Sequence, residues 1–434
     1  MSPSCMSRNK LIAAALLAAS IVSIAAPASL RAEGNSVPMG MLMTVVPDGA
    51  SDAARNPALL GFQEKRRSFS AALRAAPYAT QSVDVLQEGG FKYGMDMEYT
   101  GGFSLSGAMR AGSAVYALSL ASVPDEDQFT IRENTLTMNG YQYFDDVPIP
   151  GNYDFRTRVK EKVFEFQPSL VFAFAFPLSG GGLFGMQIIA GFSHAESDES
   201  NEFALFSGGV PYISGSSEFS SRRNGFSLEA GFGYVQRLGN GHTGLVVRTG
   251  SLSFDRESGN LSNNYGPGDS DSTGNSFRYS TGIMIMAGLY QRPLPFLGFA
   301  LEAGYRFPVS YKYRELGTED SMVVENVTMV DSKDKFQFKA GLEFLASSAL
   351  TISGGFVLSF DGTRVSKDSD DDGDHTENQD FTLAALVLGG AYRVNGNTLV
   401  TATLGYIRAS VEMERMLSSE YARIDMIVGA TYSY

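Results

Sequence analysis

Apolar and polar residues alternate with a period of two along most of this chain. From Lys335 to Phe344 the even positions are Phe336, Phe338, Ala340, Leu342 and Phe344, and the odd ones are Lys335, Gln337, Lys339, Gly341 and Glu343. From Leu297 to Tyr313 every second residue, Ala303 included, is apolar or aromatic, while the intervening set contains Glu302, Arg306 and Lys312. The same alternation runs through 164–176, 226–234, 352–360 and 424–434. Successive side chains of a strand point to opposite faces, so each segment has one apolar and one polar face. Strands of soluble sandwiches alternate too, but they usually stop after about five or six residues. These run longer and match the ~9–11 residues of a tilted membrane-spanning strand. Small and charged residues on the second face suit a wet lumen better than a dry core. Glu229, Arg248, Glu302, Arg306, Lys339 and Glu343 are accordingly predicted to face that lumen, where they solvate the interior or pair across it.

About fourteen such strands are predicted, the first near 68–78 and the last near 421–434. Short turns of Gly, Asn, Ser and Pro occur at 110–113, 177–182, 239–241, 347–348 and 395–397. They alternate with longer polar stretches at 124–160, 195–223, 257–277, 315–333 and 364–379, read as loops, while the last outer loop, 416–420, is short. Short periplasmic turns and long outer loops are the rhythm of bacterial outer-membrane barrels, and this order places both termini in the periplasm. The expected fold is therefore all-β, an antiparallel transmembrane β-barrel with a short N-terminal plug. The final strand ends in Tyr432 and Tyr434, the kind of aromatic terminus read by the barrel-insertion machinery, which is an expected partner alongside outer-membrane lipid.

The first residues change the picture of where the barrel begins. Arg8 and Lys10 precede an apolar run from Leu11 to about Ala26, followed by small residues through Ala28 and Ala32. A basic start, a short apolar core and small residues before a cleavage point describe a secretory signal peptide. The run is short and alanine-rich for a membrane-spanning helix. The expected organisation is a signal peptide over 1–32, a hatch or plug over 33–66 and the barrel over 67–434. Cys5, the one cysteine, falls in the leader, so the mature chain offers no thiol chemistry. The chain of 434 residues carries a net charge of -13 and lacks the basic patch that nucleic-acid binding requires.

Ahead of the first strand, Arg55-Asn56-Pro57-Ala58-Leu59 follows a stretch rich in Asp, Gly and Ala. This string resembles the segment before the barrel in the long-chain fatty acid transporter family (FadL/TodX type), whose strand number is also fourteen. The resemblance implies an N-terminal hatch inside the barrel and passage of hydrophobic ligands through the lumen, with no covalent chemistry. It places Asn56, Pro57 and Ala58 where the hatch joins the wall. Pro57 fixes its own φ, pushes Asn56 toward an extended conformation and cannot donate to a ladder. The three residues thus shape a turn, with or without a gating role. The segment before Asn56 is short, so an abbreviated hatch is expected.

The remaining chemistry is sparse. Asp368, Asp370 and Asp372 form a D-x-D-x-D-G string that could wrap Ca²⁺, although position twelve is Gln379 rather than glutamate. An exposed acidic loop is the preferred reading, and no other cofactor is expected. His194, His242 and His375 are widely spaced, with no zinc-protease or nucleophile-elbow motif, so an enzyme is not expected. The leading expectation is a monomeric outer-membrane channel for small hydrophobic molecules such as long-chain fatty acids or hydrocarbons. The alternative is a surface-exposed structural or secretion-associated barrel acting through its outer loops; an outer-membrane hydrolase ranks third.

Overall fold

The long alternating segments zip into one antiparallel sheet that closes on itself. The computed structural model describes residues 45–47, 49–85, 90–121, 129–144, 151–263, 270–279, 281–319, 322–367, 375–413 and 417–434. The signal-peptide region, Cys5 and the acidic string at Asp368, Asp370 and Asp372 lie outside them. In chain order the strands are β1 (Arg67–Val85), β2 (Gly90–Ala111), β3 (Ala114–Ala121), β4 (Phe129–Phe144), β5 (Gly151–Phe166), β6 (Ser169–Pro177) and β7 (Gly182–Ser207). There follow β8 (Val210–Leu238), β9 (Gly241–Arg248), β10 (Leu252–Asn263), β11 (Ser270–Tyr279), β12 (Met284–Leu294), β13 (Leu297–Arg306) and β14 (Ser310–Glu319). The last six are β15 (Met322–Ser332), β16 (Lys335–Leu345), β17 (Leu350–Lys367), β18 (His375–Arg393), β19 (Thr398–Met413) and β20 (Leu417–Ser433).

Six staves are each broken in two: β3 continues as β4, β5 as β6, β9 as β10, β11 as β12, β13 as β14 and β15 as β16. Both β3 and β4, for example, pair with β2, through Leu105↔Leu120 and Gly101↔Phe129. Counted by stave, the wall is the expected barrel of 14 strands. It closes where β20 pairs with β1 from Ser68↔Ser433 to Val85↔Leu417. The terminal residue belongs to this seam. The Arg67 N–H donates to the Tyr434 carbonyl at 2.8 Å, the Tyr434 N–H donates back to Arg67 at 2.9 Å, and the Tyr434 ring stacks on Phe69. Closure leaves no edge of unpaired N–H and C=O groups, which a sheet in hydrocarbon requires.

Alternation now separates two environments. On β18, β19 and β20 the exposed set includes Leu386, Leu388, Leu404, Tyr406, Met426 and Val428, with Leu386 64% and Leu404 53% exposed. Between them Ala385, Ala391, Thr401, Thr403 and Asp425 are buried. A continuous exposed belt of Leu, Phe, Tyr, Val and Met is a lipid-facing surface, because a water-exposed patch of that extent would drive association. No described helix is long and apolar enough to cross a membrane; the strands do so.

One expectation needs correction. The polar stretches read as long outer loops are mostly ladder. β7 and β8 stay paired out to Ser207↔Val210 and turn through Gly208-Gly209, both with positive φ (60° and 83°), a conformation that glycine adopts without steric cost. β4 pairs with β5 from Phe129↔Phe166 to Phe144↔Gly151, and β17 with β18 out to Lys367↔His375. Where water bathes both faces, backbone pairing needs no apolar alternation, so such a ladder reads as loop. Side-chain pairing there is imperfect: Glu199 stands opposite Glu161, and partial burial together with that neighbour raises the Glu199 carboxyl above its ordinary range.

The two faces make a sharp prediction. Leu404→Arg puts a cation on the exposed belt and should cost about 2–4 kcal/mol in reversible unfolding from lipid vesicles. Thr403→Ser, one residue away on the buried face, should stay within about 0.5 kcal/mol of the parent. Equal effects at the two positions would contradict the assignment of faces.

Candidate functional site

Residues 45–47 and 49–62 lie against the enclosed face of the wall. Two 3-10 turns, Gly49–Ala54 and Pro57–Phe62, flank Asn56. Asn56 is extended (φ -136°, ψ 99°), as its position before proline demands, and its Oδ1 accepts from the Ala58 N–H at 3.2 Å. Pro57 sits at the first helical position, where a missing N–H costs nothing. Asp52, fully buried, is paired with Arg55 at 3.0 Å, and its carbonyl accepts from the Arg55 and Asn56 N–H groups.

The wall is shaped to receive this segment. A Cβ on Gly185 would lie 2.4 Å from the Ala58 nitrogen, and one on Gly233 would lie 2.1 Å from Asn56 Oδ1. These two glycines are direct cross-strand partners on β7 and β8, so only a bare backbone lets Asn56-Pro57-Ala58 seat there. Ala50, Ala53 and Leu60 pack with Val115, Ala173 and Ile189 of the wall, and Val45 and Val46 pack with Tyr290 and Ala300. Three basic side chains reach from the wall to backbone carbonyls that would otherwise be buried without donors. Arg110 donates to Gln63, Arg248 donates to Ala54, and the His242 Nε2 contacts the Val45 oxygen. His242 is fully buried between the rings of Phe62 and Tyr290.

The six charged residues singled out from the sequence fall on β8, β9, β13 and β16. Glu302 and Lys339 are opposite each other in register, both buried, with Oε1 and Nζ 3.4 Å apart. Glu343 accepts from the Tyr290 hydroxyl at 3.2 Å and from Arg292. Arg248 stands 3.5 Å from Glu229, besides holding Ala54. The guanidinium of Arg306 approaches the Met284 sulfur at 3.9 Å. The structure adds charges that the sequence reading did not select: Arg74 and Arg423 converge on Asp425 at 2.5 and 3.0 Å, and Arg278 meets Asp255 at 2.9 Å. Their signal was available, since each interrupts an alternating apolar run on the polar face. Val45, Gly185, Gly233 and His242 carried no such signal, because their role depends on where a remote segment lands.

Across the barrel from the seat, the enclosed face is less charged. Val357, Ala385 and Ile407 follow one another in register across β17, β18 and β19, and Leu383 and Val387 flank Ala385 on the same face. His194 bonds Asn224 at 2.8 Å in the ladder above. Among the described residues no cluster of His, Cys, Asp and Glu could hold a metal ion.

No protein-family profile and no curated protein matches the sequence. Solved structures do. The Pseudomonas putida toluene transporter TodX superposes with a TM-score of 0.59 at 12% identity, over 93% of this chain and 99% of its own. The CymD monoaromatic hydrocarbon channel gives 0.54 at 12% identity, over 92% and 97%. A Pseudomonas aeruginosa FadL homologue gives 0.50 at 12% identity, over 94% and 99%. At such identities the likeness is one of fold, and the fold of this chain is that of the FadL-type barrels.

Proposed function

We propose that this protein is an outer-membrane channel for small hydrophobic molecules, gated by residues 45–62. The observation that carries the reading is the seat of Asn56-Pro57-Ala58 on Gly185 and Gly233, within a barrel whose structural relatives are a toluene transporter and a monoaromatic hydrocarbon channel. A segment so closely fitted occludes the lumen beside β1–β3, β6–β9, β12 and β13. The less polar wall of Val357, Leu383, Val387 and Ile407 supplies the opposite side of a path for an apolar solute. In this reading the signal peptide delivers a monomer to the periplasm, and both termini stay there, on the side of the short turns. Asn56, Pro57 and Ala58 form the hinge of the hatch, and the buried ion pairs hold the wall rigid around it.

Two experiments test it. Liposomes carrying the purified barrel should take up a labelled long-chain fatty acid or toluene several-fold faster than empty liposomes; equal rates would leave the scaffold reading in its place. Gly185→Val should force Ala58 out of its seat while leaving the ladder of β7 and β8 paired. Ion conductance in planar bilayers is then expected to rise at least tenfold over the parent, and protease should cut the N-terminal segment. An unchanged conductance with an uncut segment would remove the gate from the account.

A further inference from the structure

The solvated end of the ladder carries a stripe of cations on its outward face. Residues 156–165 of β5 read Arg-Thr-Arg-Val-Lys-Glu-Lys-Val-Phe-Glu. Phe164 is exposed on the lipid-facing side, with Ile131 beside it in register, and Val163 is buried. Alternation therefore puts Lys162, Lys160, Arg158 and Arg156 on the outward face above Phe164 and turns Glu161 and Glu165 inward. The strand sorts its charges by sign. Lys162 pairs with Glu133 at 3.3 Å, but among the described residues no carboxylate lies within ion-pair distance of Lys160, Arg158 or Arg156. Arg156 rests on the Phe206 ring, its guanidinium carbon 5.7 Å from the centroid. The register neighbours of these three are Thr135, Thr137 and Asn139 on β4, and Ser200, Glu202 and Ala204 on β7, so three cations face a single carboxylate. They stand about 7 Å apart along the strand, where like charges repel. In a chain of net charge -13, such a local excess of cations is a surface for an external anion.

Depth narrows the partner. From Lys162 to Arg156 the stripe runs about 20 Å along the strand, which a tilt of about 40° turns into a rise of about 15 Å away from the apolar belt. The headgroup layer of one phospholipid leaflet is about 5–8 Å deep. A phospholipid phosphate would reach the lower cations and leave Arg158 and Arg156 bare. The lipid that matches the whole stripe carries anionic groups at more than one height, as a glycolipid with phosphates on its sugars does. Its acyl chains would lie along Phe164 and Ile131, and its phosphates would accept from the ammonium and guanidinium groups above them.

We infer that the outward face of β5 binds a phosphorylated glycolipid of the outer leaflet through Lys160, Arg158 and Arg156. The inference rests on the orientation proposed above, in which the end opposite the chain termini is the outer one, and not on the passage of any solute. Binding is read by native mass spectrometry of the folded barrel released from neutral detergent, with a rough lipopolysaccharide in one arm and phosphatidylglycerol in the other. The glycolipid should be retained, and phosphatidylglycerol should bind at least tenfold more weakly. Arg158→Gln with Lys160→Gln should weaken glycolipid binding at least tenfold. Lys65→Gln with Arg66→Gln, an equal loss of exposed charge at the opposite end of the barrel, should not change it. Raising ammonium acetate to about 0.5 M should also release the glycolipid, because exposed charges are then screened beyond a few ångströms; read on the parent protein, this serves should the first variant fail to fold. Equal retention of the two lipids, retention indifferent to salt, or equal affinity in the two double variants would overturn the site. Orientation is read separately, from an epitope inserted between Gly208 and Gly209, which antibody should reach on intact cells. A hidden epitope would overturn the orientation reading whatever the micelles show, and an exposed epitope without lipid selectivity would overturn the site alone.

Discussion

Every backbone amide of this wall must find its partner inside the protein, because hydrocarbon offers none. An unsatisfied N–H or C=O buried in lipid costs several kcal/mol, so the seam between β1 and β20 is the constraint on which the rest depends. Once the last strand meets the first, the inside and outside of each strand are fixed for all fourteen staves. A shift of one residue at Ser68↔Ser433 would turn Leu404, Met426 and Val428 inward and Thr403 and Asp425 toward lipid. The terminal Tyr434, bonded through both its N–H and its carbonyl to Arg67, sets that register.

Closure creates a second requirement, since an enclosed face must be filled by water, side chains or chain. Here Arg110, Arg248 and His242 supply donors to carbonyls along a segment built of two short 3-10 turns. Glycines at the seat let that segment approach to backbone contact. Such an arrangement is held by a few polar contacts and small-residue packing rather than by a large apolar core, so its local stability is low and it suits the gate proposed above. The buried pair Glu302–Lys339 and the half-buried pair Arg74–Asp425 suit the wall instead: they give up hydration for geometry and add rigidity more than stability.

The barrel was legible because alternation is a local signal that each strand repeats. Phe336 to Phe344 and Ile424 to Tyr434 each reveal their faces without reference to any other strand. The interruptions were not legible: Thr249-Gly250-Ser251 and Phe307-Pro308-Val309 look like ordinary strand or turn, and only the neighbouring staves show that the ladder resumes. The extensions at 195–223 were misread because polarity on both faces has the same composition in a solvated ladder as in a loop. Asn56-Pro57-Ala58 announced a turn, as Pro57 dictates, but not its seat, since nothing near Gly185 or Gly233 in the chain refers to residue 56.

The most direct test of the gate is to lock it. Val45 Cγ1 lies 2.7 Å from the position that a Cβ on Gly288 would take, so Val45→Cys with Gly288→Cys places two sulfurs at disulfide distance, and the sequence's one native cysteine, Cys5, can be replaced by serine in the same variant. Uptake of labelled hydrophobic solute into liposomes should stop when this variant is oxidised and return on addition of dithiothreitol. Equal uptake in the oxidised and reduced states, with the disulfide confirmed by mass spectrometry, would contradict a mechanism in which residues 45–62 move.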